Sequence, residues 1–295
     1  MAKTPRVLRG QVAAITGGAR GIGRATAEAL LAQGMKVAIG DLDVETAQRT
    51  AQELSSRGEI RAYALNVVEP ESHEAFIAAI ENDLGPVDVY VNNAGIMPVG
   101  RFLDQDPVSD RRQIDINIFG VLNGMRAILP RFEQRHSGHL VNIASAAGKG
   151  GFPGVAVYCG TKHFVVGVSE AVHLEYKDSP IAISCVMPAF VNTELVSGLS
   201  SARGVKNAEP ADVGAEIVRA LQAPRFDVFV PRMIGPINKV MAVLPRGARE
   251  GVAHALKADQ VMLDVDQSGR AAYELRTSKN DPGLESGDEQ KQLTP

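Results

Sequence analysis

The stretch 11-QVAAITGGARGIGRATAEAL-30 decides how this sequence is read. A short apolar run, 11-QVAAIT-16, passes through 16-TGGARGIG-23 into a helical pattern, 22-IGRATAEALLAQG-34. Glycine can take positive φ and lets backbone come close to a ligand. A helix starting at about Ile22 turns its unpaired N-terminal amides, and the positive end of its dipole, toward whatever lies over the loop. Such a site suits a pyrophosphate. Gly17, Gly21 and Gly23 follow a TGxxxGxG spacing, distinct from the GxGxxG fingerprint. A glycine-rich turn alone is equally a tight strand-to-helix link, but its place between the first strand and a helix favours the phosphate reading.

Further along, short runs rich in Val, Ile and Ala alternate with helical stretches. The predicted strands are 11-QVAAIT-16, 36-KVAIGD-41, 60-IRAYALNV-67, 87-VDVYVNN-93, 139-HLVNIAS-145, 181-IAISCVMP-188 and 227-DVFVP-231. They are apolar on both faces, as strands of a covered parallel sheet are. The helix 43-DVETAQRTAQELSSRG-58 ends at a glycine, as does the first. The fold class is therefore α/β, a Rossmann-like doubly wound parallel sheet with helices on both faces. Residues just after each strand should line the ligand site. Asp41 ends the second strand, 18 residues after Gly23. An acidic residue there binds ribose hydroxyls and repels a 2′-phosphate. Capping of the next helix is the plainer role, and Asp43 suits it equally. Arg20 is a contrary signal, since a guanidinium in the loop could pair with a 2′-phosphate.

The 295 residues include 45% apolar and 22% charged positions with a formal net charge of −3, which argues against a nucleic-acid binder. The two cysteines, Cys159 and Cys185, form no disulfide framework or metal motif, and a reducing compartment fits. Residues 1–11 lack a signal-peptide core, and no apolar run is long enough to span a bilayer, so a cytoplasmic location is expected. The core domain is read as 1–232. A helical extension, 233–276, follows, with helices at 237-INKVMAVL-244 and 246-RGAREGVAHALKAD-259. Its apolar face is expected to pack on the core or a neighbouring subunit, with peripheral membrane contact the rival. The polar stretch 277–295 reads as a disordered tail.

The loop, 92-NNAG-95, Asn117 in 115-DINIFGV-121, Ser145 and 158-YCGTK-162 stand in order. With these residues the chain resembles the short-chain dehydrogenases/reductases over roughly residues 9–232. The resemblance implies a nicotinamide cofactor and interconversion of an alcohol and a carbonyl. It implies that Gly17, Arg20, Gly21, Ile22, Gly23, Asp41, Asn66, Val67, Asn93, Ala94, Gly95, Tyr158, Lys162, Pro188 and Thr193 surround the cofactor. It also implies that Asn117, Ser145, Tyr158 and Lys162 form the catalytic set. Asn66 stands where the family has aspartate, its carbonyl still able to accept from the adenine amino group, and Ala189 stands where the family has glycine. Family members are commonly dimers or tetramers, so a homo-oligomer is expected.

Free tyrosine has a pKa of about 10. On a helix, Lys162 lies one turn from Tyr158. A nearby cation favours the phenolate, so Lys162, together with the positive charge of an oxidised nicotinamide, is expected to lower the Tyr158 pKa toward the working range. Ser145 would orient the reacting oxygen, and Asn117 would hold a water that extends a proton relay from Lys162. Cys159 is expected to be packed, and His163 and His173 to bind no metal. Small and apolar residues after the later strands, including Met97, Ala147, Phe152 and Phe190, are the expected substrate pocket, suited to an apolar alcohol or ketone. The Gly- and Ser-rich segment 194–207 reads as a mobile lid. NAD is the expected cofactor and NADP the alternative, for example in a 3-oxoacyl reductase. A non-catalytic nucleotide-binding sensor or scaffold is the alternative of another class.

Overall fold

The computed structural model describes residues 5–199, 207–255, 262–263 and 265–279. Seven strands form one parallel sheet: β1 Val12–Thr16, β2 Lys36–Asp41, β3 Ile60–Ala64, β4 Val87–Asn92, β5 Gly138–Ile143, β6 Ile181–Pro188 and β7 Asp227–Val230. Their order is β3-β2-β1-β4-β5-β6-β7. Alternate residues of each strand feed two cores. Ala13, Ile15, Val37, Ile39, Val89 and Val91 pack on one face. Val12, Ala14, Ala38, Val87 and Tyr90 pack on the other. Both sets are buried, which is why the strands read as continuous apolar runs rather than alternating ones.

Helices α1 Gly21–Leu31, α2 Val44–Leu54 and α7 Pro210–Gln222 contribute buried residues to the first core. Helices α3 Pro70–Asp83, α5 Gly120–Arg135 and α6 Ala156–Glu175 contribute to the second. A short helix, α4 Pro107–Ile114, runs through a π-helical turn, Asp115–Phe119, into α5. Strands β1 and β4 pair in parallel at the middle of the sheet, and between them the order in which strands are added reverses, from β1-β2-β3 on one side to β4-β5-β6-β7 on the other. That switch point opens a crevice at the strand ends.

The C-terminal region differs from its predicted form. Three helices are present, not two: α8 Ile234–Val243, α9 Arg246–Ala255 and α10 Gln267–Lys279. Helix α10 crosses the predicted boundary at 276, and the rest of the expected tail, 280–295, lies outside the described residues.

Two histidines are buried and neutral. His73 Nε2 donates to the Val67 carbonyl at 3.0 Å and Nδ1 accepts from the Tyr90 hydroxyl at 2.7 Å. His139 Nε2 meets Ser184 Oγ at 2.9 Å, and that hydroxyl donates to the Arg225 carbonyl. Burial lowers both pKa values, that of His139 to about 3. Above 6.5 both folded and unfolded imidazoles are neutral. Below it the unfolded chain binds protons that the native chain refuses, so stability falls as pH drops toward 3. The melting temperature is expected to decline already between about pH 6.5 and 5, and His139→Asn to flatten that decline. Thermal melts across this range check it; a profile flat to pH 5 would contradict it.

Candidate active site

The crevice is built around Thr16. Its hydroxyl accepts from the backbone N–H of Asn93 at 2.9 Å and of Ala94 at 3.0 Å. The Asn93 amide donates to the carbonyls of Thr16 and Gly17, each at 2.9 Å. These bonds lock the end of β1 to the end of β4. They also bring backbone so close that side chains are excluded. A Cβ on Gly17, whose φ is +64°, would lie 2.8 Å from Ala94 Cα, and one on Gly23 would lie 2.2 Å from the Gly17 carbonyl oxygen. Gly23 is thus a packing residue and does not reach the cavity wall, whereas Gly17, Arg20, Gly21 and Ile22 do.

The cavity has a volume of about 820 Å³. At one end is Asp41. Its Oδ2 accepts from Ala19 N–H at 3.0 Å and its Oδ1 from Asp43 N–H at 3.1 Å. Burial raises its pKa, opposed by those two bonds and by Arg20. A carboxylate has about four acceptor sites, so each oxygen keeps a free lone pair. Asp43, not Asp41, caps α2. Arg20 is committed to Asp43 at 2.6 Å and to Thr46 Oγ1 at 2.8 Å. Burial raises the Asp43 carboxyl, but Arg20 and Thr46 outweigh it and hold the group at about 2. Asn66 also lines this end. Its Oδ1 accepts from Val68 N–H at 3.3 Å in a local turn, so one lone pair of the carbonyl expected to meet adenine is already used. Val67, Ala94 and Gly95 complete the wall.

At the other end stand Ser145, Tyr158 and Lys162, with Pro188 and Thr193 between. Lys162 Nζ donates to the Ile143 carbonyl at 2.9 Å and lies 5.6 Å from the centre of the Tyr158 ring. Burial pushes Lys162 down to about 8. Burial also raises Tyr158, with the Ser145 hydroxyl lowering it and Tyr273 and Cys159 raising it. Without the cofactor both groups are desolvated, and desolvation opposes both charged forms. Tyr158 holds its proton in this state.

Asn117 is fully buried on the π-helical turn and off the cavity wall. Its Oδ1 accepts from Ile96 N–H and its Nδ2 donates to the Ile96 carbonyl, both at 2.9 Å, and to Thr161 Oγ1 at 3.1 Å. The side chain is spent on positioning the loop after β4 against α6. The predicted pocket residues Met97, Ala147, Phe152 and Phe190 also sit behind the wall. They form an apolar cluster with Val155, Tyr158, Cys159 and Met262. Ile96, Ala189, Val191, Leu195 and Val196 face the cavity instead. His163 bonds the Cys159 carbonyl, His173 stacks on Phe226, and no metal-holding cluster occurs among the described residues. The expected lid, 194–207, is described only to residue 199 and at 207.

Sequence reasoning missed α10. Tyr273 and Thr277 line the cavity. The Tyr273 hydroxyl accepts from Met97 N–H at 2.9 Å. Arg270 is fully buried and donates to the carbonyls of Leu195 at 2.9 Å, Ser197 at 3.3 Å and Met97. It also pairs with Glu274 at 3.1 Å. One side chain thereby ties the loop after β4 to the loop after β6. Neither residue belongs to a local motif; a buried-face Arg and Tyr three apart on one polar helix were the available signal.

A family model described as short chain dehydrogenase matches residues 11–204. This chain belongs to the short-chain dehydrogenase family. It is an oxidoreductase. An uncharacterized oxidoreductase of Staphylococcus saprophyticus is 36% identical over 196 residues, covering 65% of this chain and 79% of that one. A cyclohexanol dehydrogenase of an Acinetobacter species is 34% identical over 198 residues, covering 66% and 79%. A short-chain dehydrogenase/reductase of Burkholderia phymatum, solved in complex with NAD, superposes with a TM-score of 0.74 at 24% identity, covering 80% of this chain and 94% of that one, and so supports the fold. The matched family region ends at residue 204, so Arg270 and Tyr273 lie outside it.

Removing the Arg270 guanidinium would leave three carbonyls short of a partner, at about 1–3 kcal/mol for each one buried unpaired. Arg270→Met is expected to lower the melting temperature and raise KM for any turned-over alcohol. Tyr273→Phe is expected to raise that KM several-fold while the dinucleotide Kd stays unchanged. Steady-state kinetics with fluorescence titration of the cofactor separates the two ends of the cavity; a shift in cofactor Kd equal to that in KM would contradict the assignment.

Proposed function

We propose that the protein is an NAD-dependent dehydrogenase that interconverts an apolar secondary alcohol and its ketone. The observation that carries this reading is the pairing, in one cavity, of an Asp41 carboxylate with free lone pairs and a Ser145–Tyr158–Lys162 set. The residues fit a nicotinamide dinucleotide. Helix α1 begins with no side-chain cap, which leaves its first amides for a pyrophosphate. Gly17 admits backbone-close approach, and Asp41 can accept both adenosine ribose hydroxyls. When bound, the cofactor supplies the hydride acceptor or donor.

The chain's own residues manage the proton. Ser145 Oγ accepts from Ala147 N–H at 3.1 Å and donates to the Pro188 carbonyl at 3.4 Å, a long bond that it exchanges for one to the substrate oxygen. Tyr158 then gives its phenolic proton to a ketone oxygen, or takes one from an alcohol. The buried Lys162 ammonium steadies the phenolate while the proton is away. Apolar residues Ile96, Ala189, Val191, Leu195 and Val196 on the substrate side exclude water and favour an apolar substrate. The cyclohexanol dehydrogenase relative acts, by its name, on a secondary alcohol of that kind.

Tyr158→Phe is expected to lower kcat by orders of magnitude while NAD still binds. Retention of more than about a tenth of the wild-type kcat would remove the assigned role. Tight NAD binding without turnover across a panel of secondary alcohols and ketones would favour a sensor instead.

Cofactor choice follows from charge. A 2′-phosphate beside Asp41 would bring two more negative charges close to it. Unit charges 4 Å apart repel by about 4 kcal/mol at an effective dielectric of 20. Arg20 is already paired with Asp43 and would have to leave it to compensate. The kcat/KM for NAD is therefore expected to exceed that for NADP at least tenfold, which needs only about 1.4 kcal/mol. Asp41→Ala should narrow the gap. Equal or better turnover with NADP in the unmodified protein would overturn the preference.

A further inference from the structure

Helix α8 is apolar on both sides, with Ile234 and Met241 half-buried and a second apolar stripe turned outward. Its core-facing side is Gly235, where a Cβ would lie 2.9 Å from the Phe229 ring, flanked by the half-buried Ile234 and Asn238. The stripe on the other side begins at Met233, just before the helix, and continues through Ile237, Val240 and Val243, which are 65%, 47%, 58% and 82% exposed. Helix α9 continues the exposed surface, with Val252 40% exposed. A soluble surface helix ordinarily does the reverse. The rim is cationic. Residues 232–255 hold Arg232, Lys239, Arg246 and Arg249 against a single acid, Glu250. Arg232 pairs with the buried Glu216 and Arg246 with Glu250, both at 2.8 Å. Lys239 and Arg249 are exposed and form no ion pair among the described residues. No described helix is long and apolar enough to cross a membrane.

We propose that the α8–α9 arm seats the protein on an anionic lipid surface, with Met233, Ile237, Val240 and Val243 in the headgroup–acyl boundary and Lys239 and Arg249 on lipid phosphates. An interfacial element combines an apolar face with a basic flank in this way. A second copy of the chain fits less well. A two-fold interface places the same patch against itself, which brings the cationic rim of one copy against that of the other. Anionic headgroups complement the same cations. The proposal is independent of the reaction assigned above.

The test is flotation of the full-length protein with phosphatidylcholine vesicles, with and without phosphatidylglycerol, in low and high salt. Binding to the anionic vesicles at low salt is expected to exceed that to phosphatidylcholine alone by at least about tenfold, and to weaken in high salt. The pair Val240→Asp with Val243→Asp, and separately Lys239→Glu with Arg249→Glu, should each reduce binding about tenfold or more. All four sites are exposed, so melting temperature is expected to hold and serves as the folding control. Absence of binding to anionic vesicles at low salt overturns the proposal, as does equal binding by the aspartate pair. A dimer in light scattering that the aspartate pair dissolves, with no capture by vesicles, would show that a second copy covers the face.

Discussion

The hydrogen bonds between Thr16 and the Asn93–Ala94 backbone hold the site open. They join two strands whose helices leave to opposite faces of the sheet, and they do so just past Ile15 and Val91, where the β1–β4 ladder ends. The Asn93 amide then occupies the carbonyls of Thr16 and Gly17, while the N–H groups of Gly18 and Ala19 donate to the Gly40 carbonyl and the Asp41 carboxylate, which fixes the loop on both sides. Everything beyond depends on that closeness. Gly17 and Gly23 are glycines because the joined backbones leave no volume for a Cβ. Helix α1 starts where it does because the loop can turn so tightly.

Desolvation governs the chemistry at the other end. Lys162 and Tyr158 are buried together, and burial drives the lysine toward neutral amine and the tyrosine toward neutral phenol. A site in that condition holds a proton on oxygen and is ready to act as an acid. To act as a base it must gain positive charge nearby. The Ile143 carbonyl keeps the Lys162 nitrogen in place throughout, and Asn117, through Ile96 and Thr161, keeps α6 at a fixed distance from the loop after β4. Geometry is thus set by groups that do not titrate, and charge by groups that do.

What could be read from sequence was local. The strands at 36–41 and 181–188 have the predicted bounds, and the sheet's parallel character followed from runs without alternation. Asp41, Tyr158 and Lys162 were legible because strand-end and i,i+4 spacing are properties of neighbouring residues. The side-chain direction of Met97, Ala147, Phe152 and Phe190 was not. Each lies just after a strand, but a loop residue can face the cavity or the core, and packing around Tyr158 draws these four inward. Helical spacing likewise places Lys162 beside Tyr158 but says nothing of how little water surrounds either. Arg270 and Tyr273 were invisible, since their partners lie 75 and 176 residues away.

That separation divides the cavity into two parts of different construction. The end at Asp41 is made by residues just after β1, β2, β3 and β4, held by the side chains of Thr16 and Asn93 on neighbouring backbone. The substrate end is made by loops after β4 and β6, and neither loop has enough structure of its own to fix its shape. Arg270 supplies it from outside the family's shared region, converting three loop carbonyls that would otherwise seek water into acceptors of one buried cation. Burying a guanidinium is costly unless its hydrogen bonds are met, and here the cost is offset by carbonyls that themselves need donors. The loops and α10 therefore brace one another. A substitution anywhere in this trio changes the substrate wall without touching the dinucleotide loop, so substrate choice can shift in evolution while the hydride chemistry stays in place.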